Sequence, residues 1–249
     1  MVRIAHLTDL HLNAYPANLD VAVEQLGSGE VELILIGGDN GGEDGLRATI
    51  DALSAAHPEA EIAWVMGNHD LWGRSYRDMW LPFEGFAATH LEAGNFEGER
   101  LTVVGTYGHY DYSGGDPTIP LEMYESFTDG RVIWNDRHIE RHGCTNPEIA
   151  TEVSERFAER YAAAVRRGLP IVVLSHTWPF APSDPHRRSF VGAYLCNQMV
   201  GDAILHSERP PTVLFCGHTH RPIVRKDFGF PMINTGSDYR EVRTTLYDL

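Results

Sequence analysis

The chain has 249 residues, 43% of them hydrophobic and 22% charged, a globular composition with length enough for one substantial core. Its formal net charge of −15 disfavours nucleic acid and anionic membrane surfaces as partners, since the summed field repels polyanions unless metal ions and local arginines reverse it. Cys144, Cys196 and Cys216 are an odd set without CxxC spacing, so neither a disulfide framework nor a cysteine zinc site is indicated.

In chain order, the first apolar run covers residues 2–7 and starts almost at once, without the features of a secretory signal. Further runs occupy residues 31–36, 62–66, 171–174 and 213–215. Near-continuous apolarity over so few residues suits strands covered on both faces. Helical patterns at 19–26 and 46–57 separate the first three, the second opened by Asp44 as a cap and stopped by Pro58. The chain thus begins β-α-β-α-β. A strand at 101–106 is followed by a long helix at 147–167, with Pro147 in its first turn and Gly168 past its end. Another helix is expected at 193–205, and strands at 223–225, 232–234 and 242–247. No segment reaches the length of a membrane span. The expectation is a cytoplasmic protein with a single domain, 1–249. His6, inside the first run, reads as a packed core histidine.

Chemistry sits where the five apolar runs end. The first leads into Thr8-Asp9-Leu10-His11, the second into Gly37-Gly38-Asp39-Asn40, and the third into Gly67-Asn68-His69-Asp70. The fourth leads into Ser175-His176-Thr177-Trp178, and the last into Cys216-Gly217-His218-Thr219-His220. In a largely parallel sheet these strand ends open into one crevice, where ligands bind. Asp9 and His11, like His218 and His220, are spaced to project to the same side of an extended segment. Carboxylate, imidazole and amide donors without thiolate suit Mn, Fe or Zn. Asp9, His11, Asp39, Asn68, His176, His218 and His220 are too many for one tetrahedral zinc, and fit two ions sharing a carboxylate. The glycines before the ligands allow sharp turns and keep bulk out of the cleft.

The ordered series Asp9-Leu10-His11, Gly38-Asp39, Gly67-Asn68-His69-Asp70, His176 and Gly217-His218-Thr219-His220 closely resembles the calcineurin-like metallophosphoesterase superfamily. The resemblance runs from about residue 2 to about residue 237. It implies an α/β fold, a four-layer α/β/β/α sandwich of two mixed sheets flanked by helices, with two metal ions at the strand ends. By position it implies Asp9, His11 and His220 at the first ion, Asn68, His176 and His218 at the second, and Asp39 between them.

The reaction implied is hydrolysis of a phosphodiester or phosphomonoester in a small phosphate-ester substrate, the diester being preferred by resemblance alone. A hydroxide bridging the metals attacks in line, and no protein nucleophile is needed. His69 is the candidate to protonate or stabilise the leaving oxygen, with Asp70 to orient it. Two departures stand out: Asn40-Gly41-Gly42 replaces the second acid that many relatives carry after the bridging aspartate, and no Arg precedes Gly67, unlike the protein phosphatases. The second departure argues against a phosphoprotein substrate.

Outside the motifs, His109 and Tyr110 follow the strand ending at Thr106 and are placed to line the cleft, although a solvated loop explains them equally. Arg74, Arg187 and Arg188 are candidates to hold a substrate phosphate. Trp178 and Phe180 could wall a leaving group or simply pack. Competing readings are a nuclease, which the charge disfavours, and a metal-binding scaffold without turnover, against which His69 speaks. A metal-dependent amide hydrolase is disfavoured because the sequence lacks an HxHxDH cluster.

Overall fold

Strand side chains alternate between two faces, and here that alternation builds the layers. The computed structural model describes residues 1–81, 83 and 85–249. Strands β1 (Arg3–Leu7), β2 (Leu33–Ile36) and β3 (Glu61–Trp64) run parallel and adjacent. On one face Ala5, Leu7, Ile34, Ile36, Ile62 and Trp64 share a cluster with side chains of helices α1 (Asn18–Leu26) and α2 (Gly42–Ala56). On the other face Ile4, Leu33, Leu35 and Ala63 meet the second sheet.

Strand β4 (Thr89–His90) extends the first sheet beyond β3. The second sheet contains β5 (Phe96–Glu97), β6 (Thr102–Thr106), β7 (Ile171–Ser175), β8 (Val213–Cys216), β9 (Ile223–Arg225) and β10 (Met232–Asn234). Its order is β5-β6-β7-β8-β10-β9, and the first sheet is closed by β11 (Thr244–Asp248), antiparallel to β1. Parity works here too. Val103, Val172, Leu174, Val213, Phe215 and Ile233 face the first sheet, while Val104, Ile171, Val173, Leu214 and Met232 face helices. Those helices are α4 (Asn146–Arg167) and α5 (Gln198–Leu205), and a short α3 (Leu121–Glu125) lies before them. The result is the α/β/β/α sandwich, two mixed sheets flanked by helices.

Helix α4 is set at both ends by local chemistry. Thr145 and Glu148 form a reciprocal capping box, and Gly168 ends the helix at φ 73°, a left-handed conformation that costs glycine little. Helix α2 starts earlier than residue 46, at Gly42, so Asp44 lies within its first turn and is not its cap. The expected helix at 193–205 is broken: a 3₁₀ turn covers Val191–Tyr194, and α5 begins only at Gln198. Between them the Trp178 amide donates to Leu195 O (3.2 Å) and the Asn197 amide donates to Trp178 O (3.0 Å). Backbone paired in this way cannot also be helical. Strands β4 and β5 are too short to leave a periodic signal.

The His6 ring packs on Phe215 between the sheets, with Nδ1 2.6 Å from Thr235 Oγ1. Burial lowers its pKa to about 3, as a core histidine requires. Among the described residues no helix is long and apolar enough to cross a membrane.

Candidate metal centre

Strands β1, β2, β3, β7 and β8 all end on one side of the sandwich, and the chain turns sharply after them. Asp9 (φ 59°), His11 (φ 48°), Asp39 (φ 56°), His218 (φ 65°) and His220 (φ 54°) all adopt left-handed backbone. The two spaced pairs are therefore not extended, as their spacing alone suggests; the turns themselves converge their side chains. Left-handed backbone costs a non-glycine residue about 1 kcal/mol or more, and persists where surroundings over-determine it. Here they do. The Asp9 amide donates to Gly38 O (3.0 Å), the His11 amide to Asp39 O (2.8 Å), and the His218 amide to both Asp9 carboxylate oxygens (3.1 Å each). A Cβ on Gly67 would fall on Asp39 Oδ1, and one on Gly217 on Thr8 Oγ1. No side chain fits at either position.

Donor atoms of Asp9, His11, Asp39 and His220 lie within 4.8 Å of one another, and so do those of Asp39, His176 and His218. Asp39 is common to both groups. Its Oδ1 accepts the His69 amide (2.9 Å), whereas Oδ2 is buried with no hydrogen-bond partner among the described residues. That oxygen lies 3.6 Å from His176 Nε2 and 3.9 Å from His11 Nε2.

The imidazoles are turned to offer lone pairs. His176 Nδ1 faces the Gly37 carbonyl at 2.7 Å, and a carbonyl can only accept. Burial, reinforced by neighbouring His218, drives the His176 pKa well below its usual value, so the ring is neutral and Nε2 is an acceptor. It stands 3.1 Å from Asn68 Oδ1. Two acceptors this close suit a cation held by both. His218 Nε2 likewise faces Tyr194 O at 2.9 Å, leaving Nδ1 as the nitrogen it could offer a cation. His11 Nε2 and His220 Nε2 approach to 3.4 Å.

Burial lowers the His11 pKa to about 2 and those of His218 and His220 to about 4. It raises Asp9 to about 7 against the opposing hydrogen bond from Thr8. It also raises Asp39 well above the carboxylate range, helped by the charges of Asp70 and Asp9. Neutral imidazoles around buried carboxylates, with one carboxylate oxygen left without a partner, fit divalent cations in two adjoining positions.

Asn68 is held by a residue that sequence reading missed. Its Nδ2 donates to Asp136 Oδ1 at 2.8 Å, and the same carboxylate accepts Trp72 Nε1 (2.7 Å, Oδ1) and Trp134 Nε1 (2.7 Å, Oδ2). Asp136 lies 68 positions beyond Asn68, in a 3₁₀ turn, Asn135–His138, outside every apolar run. The only local trace is the Trp134-x-Asp136 spacing.

Asp70 does not orient His69. Its carboxylate accepts five backbone amides: Asp39 (2.8 Å), Asn40 (3.1 Å), Gly41 (3.2 Å), Gly42 (2.8 Å) and Gly67 (3.0 Å). It caps the start of α2 and ties the second and third ligand turns together. The His69 ring instead stacks on Trp72, with centroids 3.8 Å apart. Its Nε2 is 3.9 Å from Asp39 Oδ2.

A cleft of about 890 Å³ opens over Asp39, Asn68, His69, His218 and His220. Trp72 and Trp134 line it near the centre; Trp178, Phe180 and Phe228 extend it as an apolar wall, with Arg187, Arg221 and Arg225 also on its lining. Four residues expected at the substrate are not on this lining. His109 is buried against Asn146 Oδ1 (2.8 Å), and Tyr110 packs edge-on to Tyr194 in an aromatic cluster. Arg74 pairs with Asp78 (3.3 Å) and Glu43 (3.6 Å) and lies over the Phe83 ring. Arg188 is turned to the Pro182 carbonyl (3.3 Å).

A family model for calcineurin-like phosphoesterases matches residues 2–222. The chain belongs to the calcineurin-like phosphoesterase family. Its buried Asp and His groups form the candidate dimetal site of a metallophosphoesterase. Among solved structures, phosphopantetheinyl hydrolase from Mycobacterium tuberculosis is similar, with TM-score 0.67 and 18% identity over 98% of this chain and 96% of that one. A dimetal phosphatase from Danio rerio follows at TM-score 0.59 and 13% identity, over 96% and 88%. A Thermus thermophilus protein, TT1561, has TM-score 0.53 and 14% identity, over 99% and 98%. At these identities the likeness is one of fold. No curated protein sequence matches the chain.

Proposed function

We propose that this calcineurin-like phosphoesterase is a dinuclear metal-dependent phosphodiesterase acting on a small substrate with a bulky ester arm. Asp9, His11 and His220 would hold one ion, Asn68, His176 and His218 the other, with Asp39 shared between them. The observation that carries this reading is Asp39, common to both donor groups, whose buried Oδ2 has no hydrogen-bond partner among the described residues. Mn, Fe or Zn suits the nitrogen and oxygen donors. When bound, the two ions supply the nucleophile and neutralise the phosphoryl oxygens.

The chain's own residues supply the rest. His69 lines the cleft with its ring held flat against Trp72; burial lowers its pKa to about 3, so the neutral ring stabilises the departing ester oxygen by donating an N–H hydrogen bond. The wall of Trp178, Phe180 and Phe228 gives a second ester arm a place to lie, which a simple phosphomonoester does not need. That supports the diester. The net charge of −15 favours a small ester over a nucleic-acid strand.

The test is a screen of the Mn-, Fe- or Zn-reconstituted chain against bis-p-nitrophenyl phosphate, p-nitrophenyl phosphate, cyclic nucleotides, dinucleotides, lipid diesters and oligonucleotides. A phosphopantetheinyl diester joins the panel because the similar Mycobacterium tuberculosis hydrolase is named for that group. Diesters are expected to turn over fastest. Faster monoester hydrolysis overturns the diester assignment, and inertness towards the whole panel overturns the enzyme reading.

A further inference from the structure

Asn68 offers its environment two different faces, an amide oxygen that can bind a cation and an NH₂ group that cannot. Turning the amide over would place the NH₂ against His176 Nε2 and spoil the second ion position. The turn is opposed from behind. Asn68 Nδ2 lies 2.8 Å from Asp136 Oδ1, and a carboxylate accepts only, so the nitrogen must face Asp136 and the oxygen must face His176.

We infer that Asp136 is a positioning residue that fixes the Asn68 amide with Oδ1 towards the second ion and ties that ion position to the wall of the cleft. The inference rests on the dimetal reading above. Asp136 is 1% exposed, and three N–H donors converge on its two oxygens, from Asn68 (2.8 Å), Trp72 (2.7 Å) and Trp134 (2.7 Å). Both indoles line the cleft. Trp72 carries the His69 ring, and Trp134 stacks on Tyr194, whose carbonyl holds His218 Nε2 at 2.9 Å. One carboxylate therefore bears on a ligand directly, and through the indoles on His69 and on a second ligand. A carboxylate that merely satisfied two indole N–H groups would have no need of the Asn68 contact.

Exchanging donor and acceptor tests the inference. In Asp136→Asn the new amide has one oxygen for three donors, so its NH₂ opposes either the Asn68 NH₂ or the Trp134 N–H. In Asn68→Asp two carboxylates meet. In the double variant Asp136→Asn/Asn68→Asp the Asn NH₂ donates to the Asp, whose second oxygen faces the ion without any choice of orientation, while Trp72 Nε1, which shared Asp136 Oδ1 with Asn68, gives up its acceptor. The readout is Mn titration of the metal-free full chain by calorimetry, with ion content by mass spectrometry and thermal melting of the metal-free proteins as a folding control.

Asp136→Asn is expected to lose about tenfold to a hundredfold in affinity for the second ion, the usual effect of removing a group that orients a ligand, while the first ion stays. The exchange is expected to recover most of that loss. Wild-type affinity for two ions in Asp136→Asn overturns the inference, and so does an exchange variant no better than the singles combined. Should Asp136→Asn fail to fold, the exchange variant decides alone, by binding two ions or failing to. A wild type that binds no ions instead overturns the dimetal reading itself.

Discussion

Asp70 Oδ2 lies 2.8 Å from the amide nitrogen of Asp39, so the carboxylate next to His69 in sequence holds the backbone of the residue common to both candidate metal groups and not the His69 ring. Five amides depend on Asp70. Asp70→Ala leaves them buried and short of an acceptor, a loss of about 3 kcal/mol or more. For a chain of this size that lowers Tm by roughly 6–12 °C. Thermal melting of the metal-free variant reads it. Melting at the wild-type temperature with only turnover reduced would restore the orienting role.

His69→Ala is expected to reduce kcat by about 10²- to 10⁴-fold, the usual contribution of a side chain positioned at the leaving group, with metal content unchanged. Its backbone amide still reaches Asp39 Oδ1 (2.9 Å), because alanine keeps that donor. Kinetics on the best diester together with ion content by mass spectrometry separates the outcomes. Loss of an ion would make His69 a ligand.

Glu92 and Arg160 tie α4 to the second sheet. Arg160 Nη2 donates to Glu92 Oε2 (3.2 Å) and to Gly105 O (2.9 Å), and Glu92 also accepts the Tyr107 amide. Arg160→Leu leaves a buried carboxylate without its cation, expected to cost about 3–5 kcal/mol near neutral pH. Burial holds the Glu92 pKa above its ordinary value, with Arg160 opposing the shift, so the variant moves it higher still. A carboxyl with a raised folded-state pKa binds more protons folded than unfolded, and stability falls as pH rises between the two values. The deficit of Arg160→Leu relative to wild type is therefore smaller at pH 5 than at pH 8. Denaturant melts across that range check it, and a deficit independent of pH contradicts it.

The candidate ligands were legible because each follows an apolar run by a few residues, so one short stretch announces both strand and candidate ligand. Asp9, Asp39 and His176 needed no long-range information. Asp136 did, since its partner Asn68 is 68 positions away and no apolar run leads into it. His109 and Tyr110 were misplaced for the same reason. The segment after β6 folds back on Phe190 and Tyr194, and that burial depends on residues far along the chain. The broken helix before α5 reflects pairing with Trp178, which local propensity cannot express.

Ion content of the Asp39→Ala variant tests the shared-carboxylate centre most directly. Wild-type chain reconstituted with Mn is expected to hold two ions, and His176→Ala one. Asp39→Ala, having lost the group common to both positions, is expected to lose affinity at both and to show no diester hydrolysis. Two tightly held ions with wild-type turnover in Asp39→Ala would contradict the account.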